Sequence, residues 1–204
     1  MRIARQVFFF VLALAVPVMA QSFDPGAQPA ATGPRYDVSA GYSYVNMQVP
    51  NVGRVNLNGL DVSGHVDFNR YWGATIESNY ARGSNLFDTG HQGYVLSFLG
   101  GPVFYPIEYR KTAVFVHALV GAGLVDGAVP LTVKSFFHGW QDRFAYAFGG
   151  GVERSLAGPF AMRVGGDYLR TSFYDAAGVV QPQNNLRVTV SLVFRLNNRQ
   201  FGGR

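Results

Sequence analysis

Residues 60–68 read LDVSGHVDF, and apolar and polar side chains alternate along this stretch. Leu60 and Val66 fall on one face of an extended chain, whereas Asp61 and His65 fall on the other. Successive side chains of a β-strand point to opposite faces, so residues 60–68 are predicted to form a strand with one apolar and one polar face.

The same alternation recurs along the chain and predicts eight strands. Their apolar faces are carried by residues 36–44, 60–68, 72–80, 94–105, 113–124, 144–152, 160–168 and 186–194. The fourth and fifth of these segments are apolar on both faces, so the pattern leaves their orientation open.

The predicted connections alternate in length. Long links are expected at residues 46–59, 82–92, 125–143 and 172–184, tight ones at 69–71 and 155–159, and an intermediate one at 106–112. An even number of antiparallel strands, with short turns at one end and long loops at the other, is the layout of outer-membrane barrels. The predicted fold class is all-β, an eight-stranded antiparallel up-and-down transmembrane β-barrel.

The chain divides into four predicted parts. Residues 1–20 carry two early arginines and then a short apolar run, which is typical of a cleaved signal peptide. Residues 21–34 are rich in Pro, Ala and Gly and lack periodicity, which indicates a disordered leader. Residues 35–196 are assigned to the barrel and 197–204 to a C-terminal tail. The predicted location is the bacterial outer membrane, reached by secretion through the inner membrane.

Composition excludes several classes of function. The chain has no cysteine, so disulfide frameworks and thiolate metal sites are excluded. Lys111 and Lys134 are the two lysines, and no run of basic residues suggests a nucleic-acid partner. The histidines lack the short spacings of metal sites, and no cofactor motif is found, so neither a metal nor a cofactor is expected.

A soluble barrel for apolar ligands would also have eight strands with one apolar face. The lipid-exposed interpretation is favoured because aromatic residues collect near the strand ends, as membrane interfaces require. The polar faces are also rich in small residues, which suits a narrow lumen, and no lysine falls in a predicted strand. Lipid of the outer membrane is therefore an expected partner.

Charged residues on the polar faces would then lie inside the barrel. The lumen of an eight-stranded barrel is just wide enough for side chains to fill, and an unpaired buried ion costs several kcal/mol. We therefore expect an internal charge network that plugs the lumen. The network is predicted to comprise Glu77, Glu153, Arg163, Asp167, Arg187 and Arg195.

Five local patterns occur in order along the strands. They are FLGGPVFY at 98–105, VHALVGAG at 116–123, FGGGVE at 148–153, DYLRT at 167–171 and NNLRVTVSLVFR at 184–195. With this layout the chain resembles the outer-membrane β-barrel domain family, the eight-stranded OmpA-like transmembrane barrels, over residues 36–196. The resemblance implies a surface or structural protein. Its last strand, with Phe194, is similar to the segment that the barrel-assembly machinery reads, which implies that machinery as a partner.

The sequence is compatible with four functions. The first is a non-enzymatic structural or surface-interaction protein that binds an extracellular ligand through its loops, with Phe136, Phe137 and Trp140 as candidate contacts. The second is a narrow channel for ions or small solutes, and the third is the soluble carrier. The fourth is a lipid-modifying hydrolase, for which the loop candidates are His91, His138, Ser84, Ser135 and Asp142.

Overall fold

The computed structural model describes residues 34–49, 53–86, 91–127, 129–132, 135–137, 141–174 and 180–197. The predicted signal peptide, the predicted leader apart from Pro34, and the tail beyond Asn197 lie outside the described residues. Within the described residues, no helix is long and apolar enough to cross a membrane.

Ten β-strands form two sheets. The strands are β1 (Arg35–Val49), β2 (Gly53–Asp67), β3 (Trp72–Leu86), β4 (His91–Tyr109), β5 (Thr112–Gly127), β6 (Val129–Thr132), β7 (Ser135–Phe137), β8 (Gln141–Ser155), β9 (Phe160–Tyr174) and β10 (Val180–Arg195). Eight of them close into a barrel in the order β1-β10-β9-β8-β5-β4-β3-β2, and β6 pairs with β7 in a separate two-stranded sheet. Every pair is antiparallel, which confirms the predicted fold class.

The barrel closes where the first strand meets the last. Asp37 pairs with Arg195 at one end of this ladder, and Asn46 pairs with Leu186 at the other. The Leu196 amide also donates to the Tyr36 carbonyl at 2.9 Å, which extends the seam by one residue. Closure leaves no sheet edge in the wall, and a wall in lipid requires this because hydrocarbon offers no hydrogen-bond partners.

Short turns gather at one end of the barrel, which we call the turn end. Residues 68–71 connect β2 to β3, Arg110 and Lys111 connect β4 to β5, and residues 156–159 connect β8 to β9. Arg110 has φ of 51° and Gly158 has φ of 59°. Both values lie in the left-handed region that tight hairpins use, where glycine is favoured. The opposite end is called the loop end.

The outer surface carries an apolar band bordered by aromatic rings. Tyr36, Trp72 and Phe194 lie at the lower border near the turn end, whereas Tyr44 and Tyr80 lie at the upper border. Eight residues of a strand tilted by about 40° rise about 20 Å, close to the apolar band of outer-membrane barrels. The band therefore matches a bilayer in height.

The strands are longer than the sequence predicted, and three of the four expected long links are wrong. β1 ends at Val49 and β2 begins at Gly53, so only residues 50–52 connect them. The pattern inverts above the band: Val45 points inward and is buried, whereas Asn46 points outward. An outward polar residue interrupts the apolar pattern on the lipid-facing side, although the strand continues. The sequence pattern therefore predicts a loop where the structure has a strand. Residues 87–90 and 175–179 are likewise short connections, and only 128–140 is long.

The structure resolves the orientation of the fourth and fifth predicted strands. In β4, Leu99 and Val103 face the lumen, and in β5, Phe115, His117 and Leu119 do so. Both faces of these two strands are apolar because apolar side chains also fill this side of the lumen. Leu99 and Leu119 pack there in a buried cluster with Ala145, Ala147 and Leu169.

The outward face of β10 permits a matched test of membrane insertion. Val190 lies at the middle of the apolar band and Val180 lies on the same face near the loop end; both are exposed. Val190→Arg should destabilise the barrel by about 2–4 kcal/mol, and Val180→Arg by at most about 1 kcal/mol. Urea unfolding of both variants in lipid vesicles measures the difference. Equal losses would contradict the position of the band.

Candidate functional site in the barrel lumen

Charged side chains fill the lumen near the turn end in what we call the inner ion cluster. Its members are Arg35, Asp37, Asp67, Glu153, Arg163 and Arg195. They come from β1, β2, β8, β9 and β10, and they all lie on the inward parity of their strands. Three arginines thus face three carboxylates, so the cluster is balanced in charge.

Glu153 is the centre of the inner ion cluster. Its side chain is fully buried and accepts from Arg163 Nη2 at 2.6 Å and from Arg195 Nη2 at 2.8 Å. Arg163 Nη2 also lies 3.3 Å from Asp37 Oδ1, which ties β9 to β1. The Arg163–Glu153 pair joins the neighbouring strands β9 and β8, whereas Arg195–Glu153 and Arg163–Asp37 each join strands with one strand between them.

The second half of the inner ion cluster involves a histidine and a tyrosine. Arg35 Nη2 lies 2.6 Å from Asp67 Oδ2, and His65 Nε2 lies 2.6 Å from Asp67 Oδ1. The Tyr105 hydroxyl lies 3.1 Å from His65 Nε2. Candidate metal-ligand atoms of Asp37, His65 and Asp67 lie within 4.8 Å of one another, but arginines already pair with both carboxylates. The donor set therefore suits an ion-pair network better than a cation.

A second group, the middle ion cluster, surrounds Arg187, whose side chain is fully buried. Arg187 Nη2 lies 2.6 Å from Asp167 Oδ2 on the neighbouring strand β9, and Nη1 pairs with Glu77 on β3. Because β10 and β3 are separated by β1 and β2 in the barrel, the pair with Glu77 spans the lumen. His117 Nε2 approaches Asp167 Oδ1 at 2.7 Å from β5.

Gly149 makes room for the middle ion cluster. It is paired with both His117 and Asp167 in the sheet, and all three residues have inward parity. A Cβ built at Gly149 would collide with the Asp167 carboxylate and the Gly166 carbonyl. The glycine therefore allows the histidine and the aspartate to meet across β8.

Apolar side chains fill the lumen at the loop end and form a group that we call the mouth cluster. It comprises Val45, Met47, Val55, Leu57, Ala81, Val95 and Phe173. Phe173 is 1 % exposed and Leu57 is 2 % exposed. These buried side chains fill much of the lumen at this level of the described barrel, above the charged clusters.

A cavity of about 40 Å³ lies between the two ion clusters. Its lining includes Ser63, Thr75, Glu77, His117 and Asp167. A space of this size holds a few water molecules, and its polar lining offers them hydrogen-bond partners. It is much smaller than the pockets that bind organic ligands, which measure about 300–1,000 Å³.

All six residues of the predicted charge network are in the two clusters. The structure places Arg163, Arg195 and Glu153 in the inner ion cluster, and Glu77, Asp167 and Arg187 in the middle one. The predicted network lacks three members of the inner ion cluster: Arg35, Asp37 and Asp67. Asp37 and Asp67 lie on the polar faces of predicted strands, and Arg35 has the same parity as Asp37 one residue before the first of these strands.

The candidate loop residues lie elsewhere. Phe136 and Phe137 belong to β7, on residues whose side chains are not described, and Trp140 lies outside the described residues. Of the hydrolase candidates, Ser84 is on β3 and Asp142 is on β8, and two strands separate β3 from β8 in the barrel. His138 lies outside the described residues, and the side chains of His91 and Ser135 are not described.

A closed barrel with an apolar exterior, two aromatic borders and a charged interior is a transmembrane β-barrel of the bacterial outer membrane. The chain belongs to the outer membrane protein beta-barrel domain family, whose model matches residues 8–194. This confirms the resemblance inferred from the sequence and the predicted outer-membrane location. No curated protein sequence matches the chain.

Solved structures share the fold at low sequence identity. Neisserial surface protein A, NspA, aligns with a TM-score of 0.62 and 9 % identity, over 82 % of this chain and 99 % of that one. The attachment invasion locus protein Ail of Yersinia pestis aligns with a TM-score of 0.56 and 16 % identity, over 80 % and 99 %. The outer membrane protein OprG of Pseudomonas aeruginosa aligns with a TM-score of 0.51 and 10 % identity, over 81 % and 97 %. At such identities the similarity concerns the fold.

The burial of Glu153 leads to a stability prediction. Glu153→Gln would remove the buried negative charge that Arg163 and Arg195 share, and breaking a buried ion pair from one side costs about 3–5 kcal/mol. Glu108 provides the control: it pairs with the exposed Arg70 at 3.3 Å, and loss of such a pair costs at most about 1 kcal/mol. Urea unfolding of Glu153→Gln and Glu108→Gln in vesicles compares the two losses. A Glu153→Gln barrel as stable as the control would show that Glu153 contributes little to holding the barrel together.

Proposed function

We propose that this chain is a non-enzymatic, non-conducting outer-membrane barrel that serves as a rigid platform for contacts at the cell surface. The observation that carries the proposal is the pairing of buried Arg187 with Glu77 across the lumen. A side chain that spans the lumen and is ion-paired at both sides occupies the path that a solute would take.

Three successive layers support a closed lumen. The inner ion cluster links β8, β9, β10 and β1 near the turn end, the middle ion cluster spans the centre, and the mouth cluster fills the loop end. Moving an ion through the mouth cluster would require its desolvation in hydrocarbon, at a cost of many kcal/mol. The channel alternative finds less support, since the central cavity is small and is lined by charged groups of both ion clusters.

The proposed contact surface is at the loop end. Short turns of outer-membrane barrels face the periplasm, so the strand extensions and the 128–140 connection would face the exterior. We assign an extracellular ligand to this end, with Phe136, Phe137 and Trp140 of the longest connection as candidate contacts. Ail, a structural neighbour, has been solved in complex with the heparin analogue sucrose octasulfate, which gives a first probe.

Assembly of the barrel is assigned to the barrel-assembly machinery. β10 is the last barrel strand and presents Leu192 and Phe194 outward. Its pairing with β1 is the closing step, so a factor that holds β10 would act before closure.

Ion conductance tests the closed lumen. The refolded protein in a planar bilayer should show no steady single-channel steps. The variant Arg187→Ala/Glu153→Ala/Phe173→Ala removes one side chain from each layer and should give measurable steps, since each of the three side chains is fully buried. Circular dichroism and heat-dependent electrophoretic mobility establish that each variant is folded.

A control with the same residue types lies on the turn-end exterior. Arg70→Ala/Glu108→Ala/Phe68→Ala removes the ion pair of the exposed Arg70 and an exposed aromatic side chain and should stay silent. Steady steps in the unmodified protein would overturn the closed-lumen proposal. A folded, silent triple lumen variant would show that these three layers are not what closes the barrel.

A further inference from the structure

The outward face of the barrel has an uneven distribution of charge just above its upper aromatic border. Three arginines lie on this face among the described residues: Arg54 on β2, Arg82 on β3 and Arg170 on β9. Their strands, with β1 and β10 between them, form a continuous arc of five neighbouring strands. None of the three arginines is ion-paired with a described carboxylate.

Asparagines connect these arginines into one surface, which we call the rim patch: Arg54, Arg82, Arg170, Asn46, Asn56, Asn58 and Asn184. Asn58 pairs with Arg82 across β2 and β3, and Asn184 pairs with Arg170 across β10 and β9. Arg54 Nη2 donates to the Asn184 carbonyl at 3.2 Å, which bridges the outside of β1.

Tyrosines of the upper border support the rim patch from below. The Tyr44 hydroxyl donates to Asn56 Oδ1 at 2.9 Å, and the Tyr42 hydroxyl donates to Asn58 Oδ1. The Tyr168 hydroxyl donates to Asn184 Oδ1. Tyrosine hydroxyls at a membrane border mark the depth of the lipid head groups, so the rim patch lies at head-group level.

The opposite side of the barrel carries negative rather than positive charge on its outward face. At the corresponding level, β5 presents Asp126 outward and β8 presents Asp142 outward. Among the described outward residues at this level, positive charge is thus confined to the β9–β10–β1–β2–β3 arc, while the carboxylates lie on the other arc. A positive charge needed only for solubility would not require this separation.

We propose that the rim patch binds a phosphorylated glycolipid of the outer leaflet. Arginine guanidinium groups match phosphate oxygens in geometry and charge. Tyrosine hydroxyls orient the amides of Asn56, Asn58 and Asn184 through their Oδ1 atoms. Their Nδ2 groups can donate to the sugar hydroxyls that a phosphorylated saccharide head group presents beside its phosphates. The border tyrosines below the rim patch contact the upper ends of the acyl chains.

The test measures the stability gained from a lipid that binds the folded barrel. The full chain is refolded in phosphatidylcholine vesicles with and without a minor fraction of bis-phosphorylated lipid A, and urea unfolding is followed in each. Lipid A should raise the unfolding midpoint of the unmodified protein. Arg54→Gln/Arg82→Gln/Arg170→Gln should lose this rise, with an apparent lipid A affinity lower by on the order of 100-fold, from about fivefold for each cation.

Three cations at the turn end provide a matched control. Arg110, Lys111 and Arg154 cluster around the β4–β5 turn: Thr112 pairs with Arg154, and the Ser155 amide donates to the Lys111 carbonyl. Arg110→Gln/Lys111→Gln/Arg154→Gln removes the same charge and should keep the rise. In pure phosphatidylcholine both triple variants should unfold like the unmodified protein, which establishes that they fold.

Three results would overturn the proposal. The first is no rise of the unfolding midpoint for the unmodified protein with lipid A. The second is an equal loss in both triple variants, which would indicate net charge alone. The third is an equal rise with phosphatidylglycerol in place of lipid A, which would indicate a general preference for an anionic surface rather than for a phosphorylated saccharide.

Discussion

Hydrogen bonding of the backbone in hydrocarbon is the constraint on which the rest of this structure depends. An N–H or C=O group left unpaired in the bilayer costs several kcal/mol, so the strand ladder has to close on itself. Closure through β1 and β10 fixes the number of strands, and eight strands leave a lumen only as wide as the side chains inside it. The ion clusters are a consequence, because a barrel this narrow has room for only a few waters beside the charges on its inner face.

The same constraint explains where sequence analysis succeeded and where it failed. Inside the bilayer, Leu60 and Val66 face lipid while Asp61 and His65 face the lumen. This alternation of apolar and polar residues predicts the strand from the sequence alone. Above the bilayer the outside is water, so Asn46 and Asn56 face outward and Val45 and Val55 turn inward. The strand continues, but the meaning of its pattern reverses. Apolar residues on the lipid side therefore predict an end of β1 at Tyr44, five residues before its end at Val49.

Within the lumen, the sequence predicts which residues face inward but not which residues meet. Parity alone placed Arg187 and Glu77 on inner faces. Their contact depends on the stagger of successive strands around the barrel, which brings β10 and β3 to the same height across the lumen. Stagger is a property of the closed sheet, and no local pattern records it. For the same reason the sequence does not predict that Gly149 admits the His117–Asp167 contact across β8.

The charges inside and outside the barrel have different roles because their surroundings differ. In the inner ion cluster, three arginines are neutralised by three carboxylates within the lumen, so their fields largely cancel beyond the wall. Arg54, Arg82 and Arg170 have no such partner among the described residues and lie outside the wall, where the head groups of the outer leaflet are their neighbours. Because the internal charges are paired with one another, the rim charges remain available to bind a lipid head group. The lumen charges therefore stabilise the barrel, and the rim charges contact the membrane.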